Sequence, residues 1–181
     1  VTDPEGYTTA NAYDAVGNKI SMTDAAGHTV TQIFDRNNLL LTTLDPSGTD
    51  PLLDRTTEHR YDVVGNRTTT TDAEGRSTTY TFDNRNQIVV VTTPEVAGAD
   101  GNPTTYETGF GYDAEINLIR RTDNRGAITD LMYTPRGLAL QQTDPTGHIT
   151  RTDYDANANV LRITAGMEPP VDKRQITSFR Y

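Results

Sequence analysis

Tyr61-Asp62-Val63-Val64-Gly65-Asn66-Arg67-Thr68-Thr69-Thr70-Thr71-Asp72-Ala73-Glu74-Gly75-Arg76-Ser77-Thr78-Thr79-Tyr80-Thr81 runs directly into Phe82-Asp83, where the same pattern begins again. The opening pair, an aromatic residue followed by aspartate, stands at Tyr13-Asp14, Phe34-Asp35, Tyr61-Asp62, Phe82-Asp83, Tyr112-Asp113 and Tyr154-Asp155. Tyr133-Thr134 and Tyr181 occupy two further slots. Subtracting successive anchor numbers gives 21, 27, 21, 30, 21, 21 and 27, a period of 21 with additions of six (27 − 21) or nine (30 − 21). Asp-x-x-Gly follows most anchors by eleven residues, at Asp24 to Gly27, Asp45 to Gly48, Asp72 to Gly75, Asp123 to Gly126 and Asp144 to Gly147, and an earlier copy runs from Asp3 to Gly6. Self-similarity at such a period marks an array in which each unit buries its apolar surface only against its neighbours.

Between these punctuation marks the chain alternates as a strand does, as in Ser77 to Phe82 and Ala127 to Tyr133. β-Branched and aromatic residues suit a pleated surface, and residues two apart share a face. Each anchor therefore looks the same way as its fourth predecessor, which is Thr9, Thr57, Thr78, Thr108, Thr129, Thr150 or Thr177, with Val30 the exception. Seven residues after the anchor stand Ile20, Leu41, Val89, Ile119, Leu140 and Leu161, with Thr68 breaking the set, and these read as a second buried row.

The turns carry their own chemistry. A tight reversal needs a residue at positive φ, which Gly and Asn adopt at least cost. Gly17, Asn38, Gly65, Asn86 and Gly137 fill that slot, four positions after the anchor. Asp14 and Asp62 are placed to accept hydrogen bonds from the turn's own backbone. Ile116 and Ala158 occupy the slot in two copies, each followed by asparagine, and the expectation is that these turns shift by one residue.

The predicted fold is all-β: two short strands and two turns per unit, about eight units over 1–181, on the order of fifteen antiparallel strands in a long curved or spiralling sheet. No segment shows helical periodicity. Both ends fall inside a repeat, which predicts that the sequence is part of a longer array. Additions near 47–55, 94–104 and 165–173, rich in Pro, Gly and Asp, read as loop-length variation and secondarily as partner contacts.

Composition narrows the function classes. The 181 residues carry a net charge of −9, which opposes nonspecific binding to nucleic acid or anionic membranes. Hydrophobic content of 34% fits a sheet with a polar face better than a single compact core. There is no apolar run of membrane-spanning length. The absence of cysteine removes disulfides and thiolate metal sites.

Tyr-Asp-x-x-Gly-Asn at Tyr13 to Asn18 and Tyr61 to Asn66, followed by Thr-Asp-x-x-Gly-x-x-Thr at Thr71 to Thr78, and by the same string ending in Val30 from Thr23, resembles the YD repeat of the RHS family. The resemblance covers essentially the whole chain. That family includes bacterial polymorphic toxins, shell components of insecticidal toxin complexes, cell-wall-associated proteins and the animal teneurins. The resemblance implies a β-sheet wound into a hollow shell, holding in toxin members an unfolded C-terminal effector. In those proteins a C-terminal core segment plugs the shell and often cleaves itself through aspartates, and no such segment is visible in these residues. Asp144-Pro-Thr-Gly147 and Asp45-Pro-Ser-Gly48 share part of the look of that core but occupy the ordinary turn slot, so no protease residue is assigned.

No catalytic, cofactor-binding or metal-binding residue emerges from the pattern, and the chain is read as non-enzymatic. His28 and His148 follow turns at a slot filled elsewhere by Thr49, Arg76 and Ala127, which reads as solvent-facing. His59 takes a strand slot filled elsewhere by Tyr80, Phe110, Leu131 and Phe179, which reads as packing. The turn aspartates could in principle bind Ca²⁺ along the array edge, but turn capping accounts for them without an ion. Asn66-Arg67-Thr68 matches a glycosylation acceptor pattern, read as chance. The expected function is the structural wall of a secreted or cell-surface bacterial protein. Its expected partners are neighbouring repeats and an encapsulated effector polypeptide, with no nucleic acid and no membrane span. The alternative is an extracellular filament or adhesin stalk built by self-association, and an enzyme acting on surface glycans ranks last because the acids lie in turns and not in a cleft.

Overall fold

The computed structural model describes residues 8–46, 54–94, 105–166 and 175–179. The added segments lie largely outside these residues, as do Asp3, Gly6, Gly48 and the anchor Tyr181. The described residues form fifteen β-strands and no helix. They are β1 (Ala10–Tyr13), β2 (Lys19–Thr23), β3 (Thr29–Phe34), β4 (Leu40–Asp45), β5 (Arg55–Tyr61), β6 (Arg67–Thr71), β7 (Ser77–Phe82), β8 (Ile88–Pro94), β9 (Thr105–Tyr112), β10 (Leu118–Thr122), β11 (Ile128–Tyr133), β12 (Ala139–Thr143), β13 (Ile149–Tyr154), β14 (Val160–Ala165) and β15 (Gln175–Ser178). All lie in one open sheet in chain order, each strand hydrogen-bonded to its sequence neighbours. Every pair whose register is resolved is antiparallel, as in β5 with β6 and β11 with β12.

The chain divides into two compact units, Val1–Gln87 with Thr92–Thr105, and Ile88–Val91 with Tyr106–Tyr181. In the first, Thr43 stands opposite Thr57, His59 opposite Thr70 and Thr70 opposite Thr78, so these positions share a face with Tyr61. In the second, Phe110 stands opposite Arg121, Arg121 opposite Thr129, Leu131 opposite Gln142 and Gln142 opposite Thr150, on the face of Tyr112, Tyr133 and Tyr154. The threonines four residues before the anchors thus lie on the anchor face in both units.

The expectation of two buried rows is corrected by the burial pattern. Among the described residues no side chain is buried, polar or apolar, because a one-layer sheet has no second layer to exclude water. Ile20, Ile119 and Leu161, three members of the second row, are 37%, 37% and 43% exposed. Their position has a local cause: the register slips by one residue at the anchors. Arg60 faces Thr69 but Tyr61 faces Arg67, leaving Thr68 as the extra residue of a β-bulge. The same slip occurs at Tyr13, Phe34, Tyr133 and Tyr154. Ile20, Leu41, Thr68, Ile119, Leu140 and Leu161 therefore sit in bulges and do not form an even ladder.

Candidate functional surface

The anchor turns are built the same way in every described copy. In Tyr61-Asp62-Val63-Val64-Gly65-Asn66, the Asp62 N–H donates to the Asn66 carbonyl at 2.9 Å and the Gly65 N–H to the Asp62 carbonyl at 3.2 Å. Asp62 Oδ1 accepts from the Val64 and Asn66 N–H groups at 3.0 and 2.8 Å. Asp14 holds Val16 and Asn18 in the same way at 3.0 and 2.8 Å. This is a three-residue hairpin loop with its last residue left-handed. Gly17 and Gly65 both have φ 94.

Asp24, Asp72, Asp123 and Asp144 cap the Asp-x-x-Gly turns alike, with Gly27, Gly75, Gly126 and Gly147 at φ 84, 78, 79 and 89. Asp45 closes β4, with Gly48 beyond the described residues. Thr134 replaces aspartate before Gly137 and still accepts from the Leu138 N–H, at 3.1 Å. The shift expected at Ile116 and Ala158 does not occur. Ile116 and Ala158 themselves take φ 71 and 70, while Asp113 and Asp155 accept from the Asn117 and Asn159 N–H groups at 2.8 Å each. The capping bonds and the flanking strand pairs hold the turn in place, so the side chain bears the strain.

The hydrogen bonds to these carboxylates hold several of them below the usual carboxylate range. For Asp14 and Asp155 the leading cause is the amide side chain of Asn18 or Asn159; for Asp83 and Asp123 it is the backbone N–H of Gln87 or Ala127. Both amide hydrogens of Asn66 are engaged, toward Asp62 Oδ2 and Asn86 Oδ1, each at 2.9 Å. A glycan on that nitrogen would displace one of them. Asn18 links its turn to Asn38 of the next in the same manner, at 3.0 Å.

The anchors have a role that composition and periodicity did not reveal. Tyr61 donates its phenolic hydroxyl to the Leu40 carbonyl at 2.8 Å, Tyr112 to Ile88 at 3.0 Å, Tyr133 to Leu118 at 3.0 Å and Tyr154 to Ala139 at 2.8 Å. Each acceptor is the sixth residue after the preceding anchor. Separations of 15, 15, 21 and 24 residues are the basal 15 plus zero, six or nine, so the added segments lie inside the clasped loop. Shallow open grooves flank these clasps, one of about 560 Å³ bordered by Leu39, Leu41, Tyr61 and Val64, and one of about 590 Å³ bordered by Glu115, Asn117, Tyr133 and Arg136.

The histidines are placed as follows. His28 is half-buried in its turn, with Nε2 2.9 Å from Asp45 Oδ1 and in contact with the Pro46 carbonyl. His148 is exposed and its Nδ1 meets the Thr146 hydroxyl, which also donates to Asp144 Oδ1 at 2.7 Å. His59 packs in β5 with Nδ1 3.2 Å from Thr70 Oγ1; burial first, and the Arg67 charge second, lower its pKa from the usual imidazole value. Among the described residues no three His, Cys, Asp or Glu side chains gather as a metal-binding group. No helix there is long and apolar enough to cross a membrane, which leaves strand-built spans aside.

The RHS Repeat family model matches residues 13–50 and 61–95. The crystal structure of TcdB2-TccC3-Cdc42 is similar to this chain with a TM-score of 0.75 and 15% identity, covering 95% of this chain and 10% of that one. The structure of the Photorhabdus luminescens Tc holotoxin pore with a TccC3 mutation is similar with a TM-score of 0.76 and 14% identity, covering 97% of this chain and 10% of that one. The chain thus spans about a tenth of the length of these neighbours, and at such identities the likeness establishes the fold. No curated protein matches it in sequence.

Proposed function

From the premise that this is an RHS-repeat chain, we propose that it is a segment of a non-catalytic β-sheet wall that encloses a polypeptide cargo in a secreted or cell-surface bacterial protein. The observation that carries this reading is the strand order. All fifteen described strands pair in sequence within one sheet, and among the described residues neither a helix nor a buried core accompanies them. Such a sheet extends by adding repeats, and its surface, not a pocket, is what it offers. The fold likeness to proteins of a named holotoxin supports secretion and a toxin-like cargo.

Electron microscopy of the whole protein in unstained ice tests the proposal. Closed hollow particles with internal density are the expected result. Long rods or fibres with an axial repeat would overturn it in favour of a filament or adhesin stalk.

A further inference from the structure

We propose, resting on the wall reading above, that the face bearing the anchor aromatics is the covered face, and that its occupant is a polypeptide presenting apolar side chains and carboxylates. The registers sort the strand residues onto two faces. On the anchor face of the second unit lie Phe110, Tyr112, Leu131, Tyr133 and Gln142; on the opposite face lie Arg120, Asp130, Arg151, Asp153 and Arg162. The opposite-face charges are paired with one another, Arg120 with Asp130 at 2.7 Å, and Arg162 and Arg151 both with Asp153 at 2.6 and 3.3 Å. In the first unit Glu58 and Arg60 likewise flank His59 on the face away from it.

Among the described strand residues the one carboxylate on the anchor face is Asp45, at the end of β4 opposite Arg55. Covering a face strips water from it, which is costly for ionised groups and favourable for aromatic and aliphatic ones. The anchor hydroxyls of Tyr61, Tyr112, Tyr133 and Tyr154 already donate within the sheet, so covering them orphans no donor. Four cations stand there among the described strand residues, Lys19 opposite Tyr13, Arg55 opposite Asp45, Arg67 and Arg121. Arg67 lies 5.6 Å from the Tyr80 ring centroid, and Arg121 stands opposite Phe110 and Thr129, its charge also reaching Asp123 at the strand end. The excess of these cations over the single strand carboxylate, Asp45, selects an occupant that brings carboxylates.

Gln141 and Gln142 are adjacent and point to opposite faces, Gln142 exposed on the anchor face and Gln141 half-buried on the other. In the whole protein, with any other cysteines removed, Gln142→Cys and Gln141→Cys would be treated with a polymer-linked maleimide before and after denaturation. Gln142→Cys is expected to label at least about tenfold more slowly than Gln141→Cys in native particles, and equally after unfolding. This reverses the order that exposure of the bare sheet gives. Protection of Gln141→Cys alone, or equal labelling in closed particles, would overturn the face assignment and leave the wall standing. Rod-shaped particles would instead remove the wall itself. For the occupant's chemistry, an Arg121→Lys variant treated with a carbodiimide, which joins amines to carboxylates, should cross-link to the cargo. Absence of that product in closed, cargo-loaded particles would overturn the carboxylate assignment.

Discussion

The hydroxyl of Tyr61 donates to the backbone carbonyl of Leu40 at 2.8 Å, closing the open end of the β4–β5 hairpin whose other end holds the added segment near 47–55. The anchor aromatic is thereby a clasp across the strand pair that precedes its own turn. Tyr61→Phe should lower stability by about 1 kcal/mol, since the ring stays and one hydrogen bond goes. Phe34 and Phe82 lack the hydroxyl naturally, so Phe34→Tyr and Phe82→Tyr are expected to be neutral or stabilising. Urea unfolding of the single variants measures both.

The clasp also explains why additions are tolerated. Because they lie inside an already closed loop, deleting six residues from 47–55 to restore the basal 15-residue separation should change stability by no more than about 0.6 kcal/mol. Deletion of the six residues of β7 should instead abolish cooperative unfolding, as followed by circular dichroism.

Ile116 and Ala158 hold left-handed conformations that side chains disfavour, at φ 71 and 70. Ile116→Gly and Ala158→Gly should each stabilise by about 1 kcal/mol. Gly17→Ala should destabilise by a similar amount through φ alone, because no atom lies within 4 Å of the added methyl position. Thermal melts of the three variants give the signs.

Acid should weaken the array through its turns. The carboxyls of Asp14, Asp83, Asp123 and Asp155 have folded-state pKa values below 3.8, so their contribution is present above that unfolded value and is lost as pH falls through the folded one. His59 acts at milder pH. Its folded value lies below 6.5, so the unfolded chain takes up the proton first and stability declines as pH falls through 6.5. His59→Leu, a residue found at that slot in another copy, should remove this milder decline while leaving the acid one; melting temperature against pH separates them.

Calcium removal is expected to leave the melting temperature unchanged. The Oδ1 atoms of Asp24 and Asp72 each already accept two turn N–H groups, from Ala26 and His28 and from Glu74 and Arg76. A chelator-dependent fall in the melting temperature would contradict this.

What the sequence determined by itself is what depends on near neighbours. The strand alternation around Ser77 to Phe82 and the aspartate-capped turns follow from residues at most a few positions apart, and their recurrence every 21 residues is counted along the chain; together these place the repeat and its all-β class. The tertiary structure decided the rest, because its causes are distant in the chain. The bulge that pairs Tyr61 with Arg67 places Thr68 and its counterparts off an even ladder, and the Tyr61 hydroxyl finds a carbonyl 21 residues away. Ile116 accepts a strained φ because capping and strand pairing outweigh its own preference, a balance invisible in the residue itself. The separation of paired charges from anchor aromatics is likewise a property of cross-strand register, set only when Arg120 meets Asp130 and Phe110 meets Arg121.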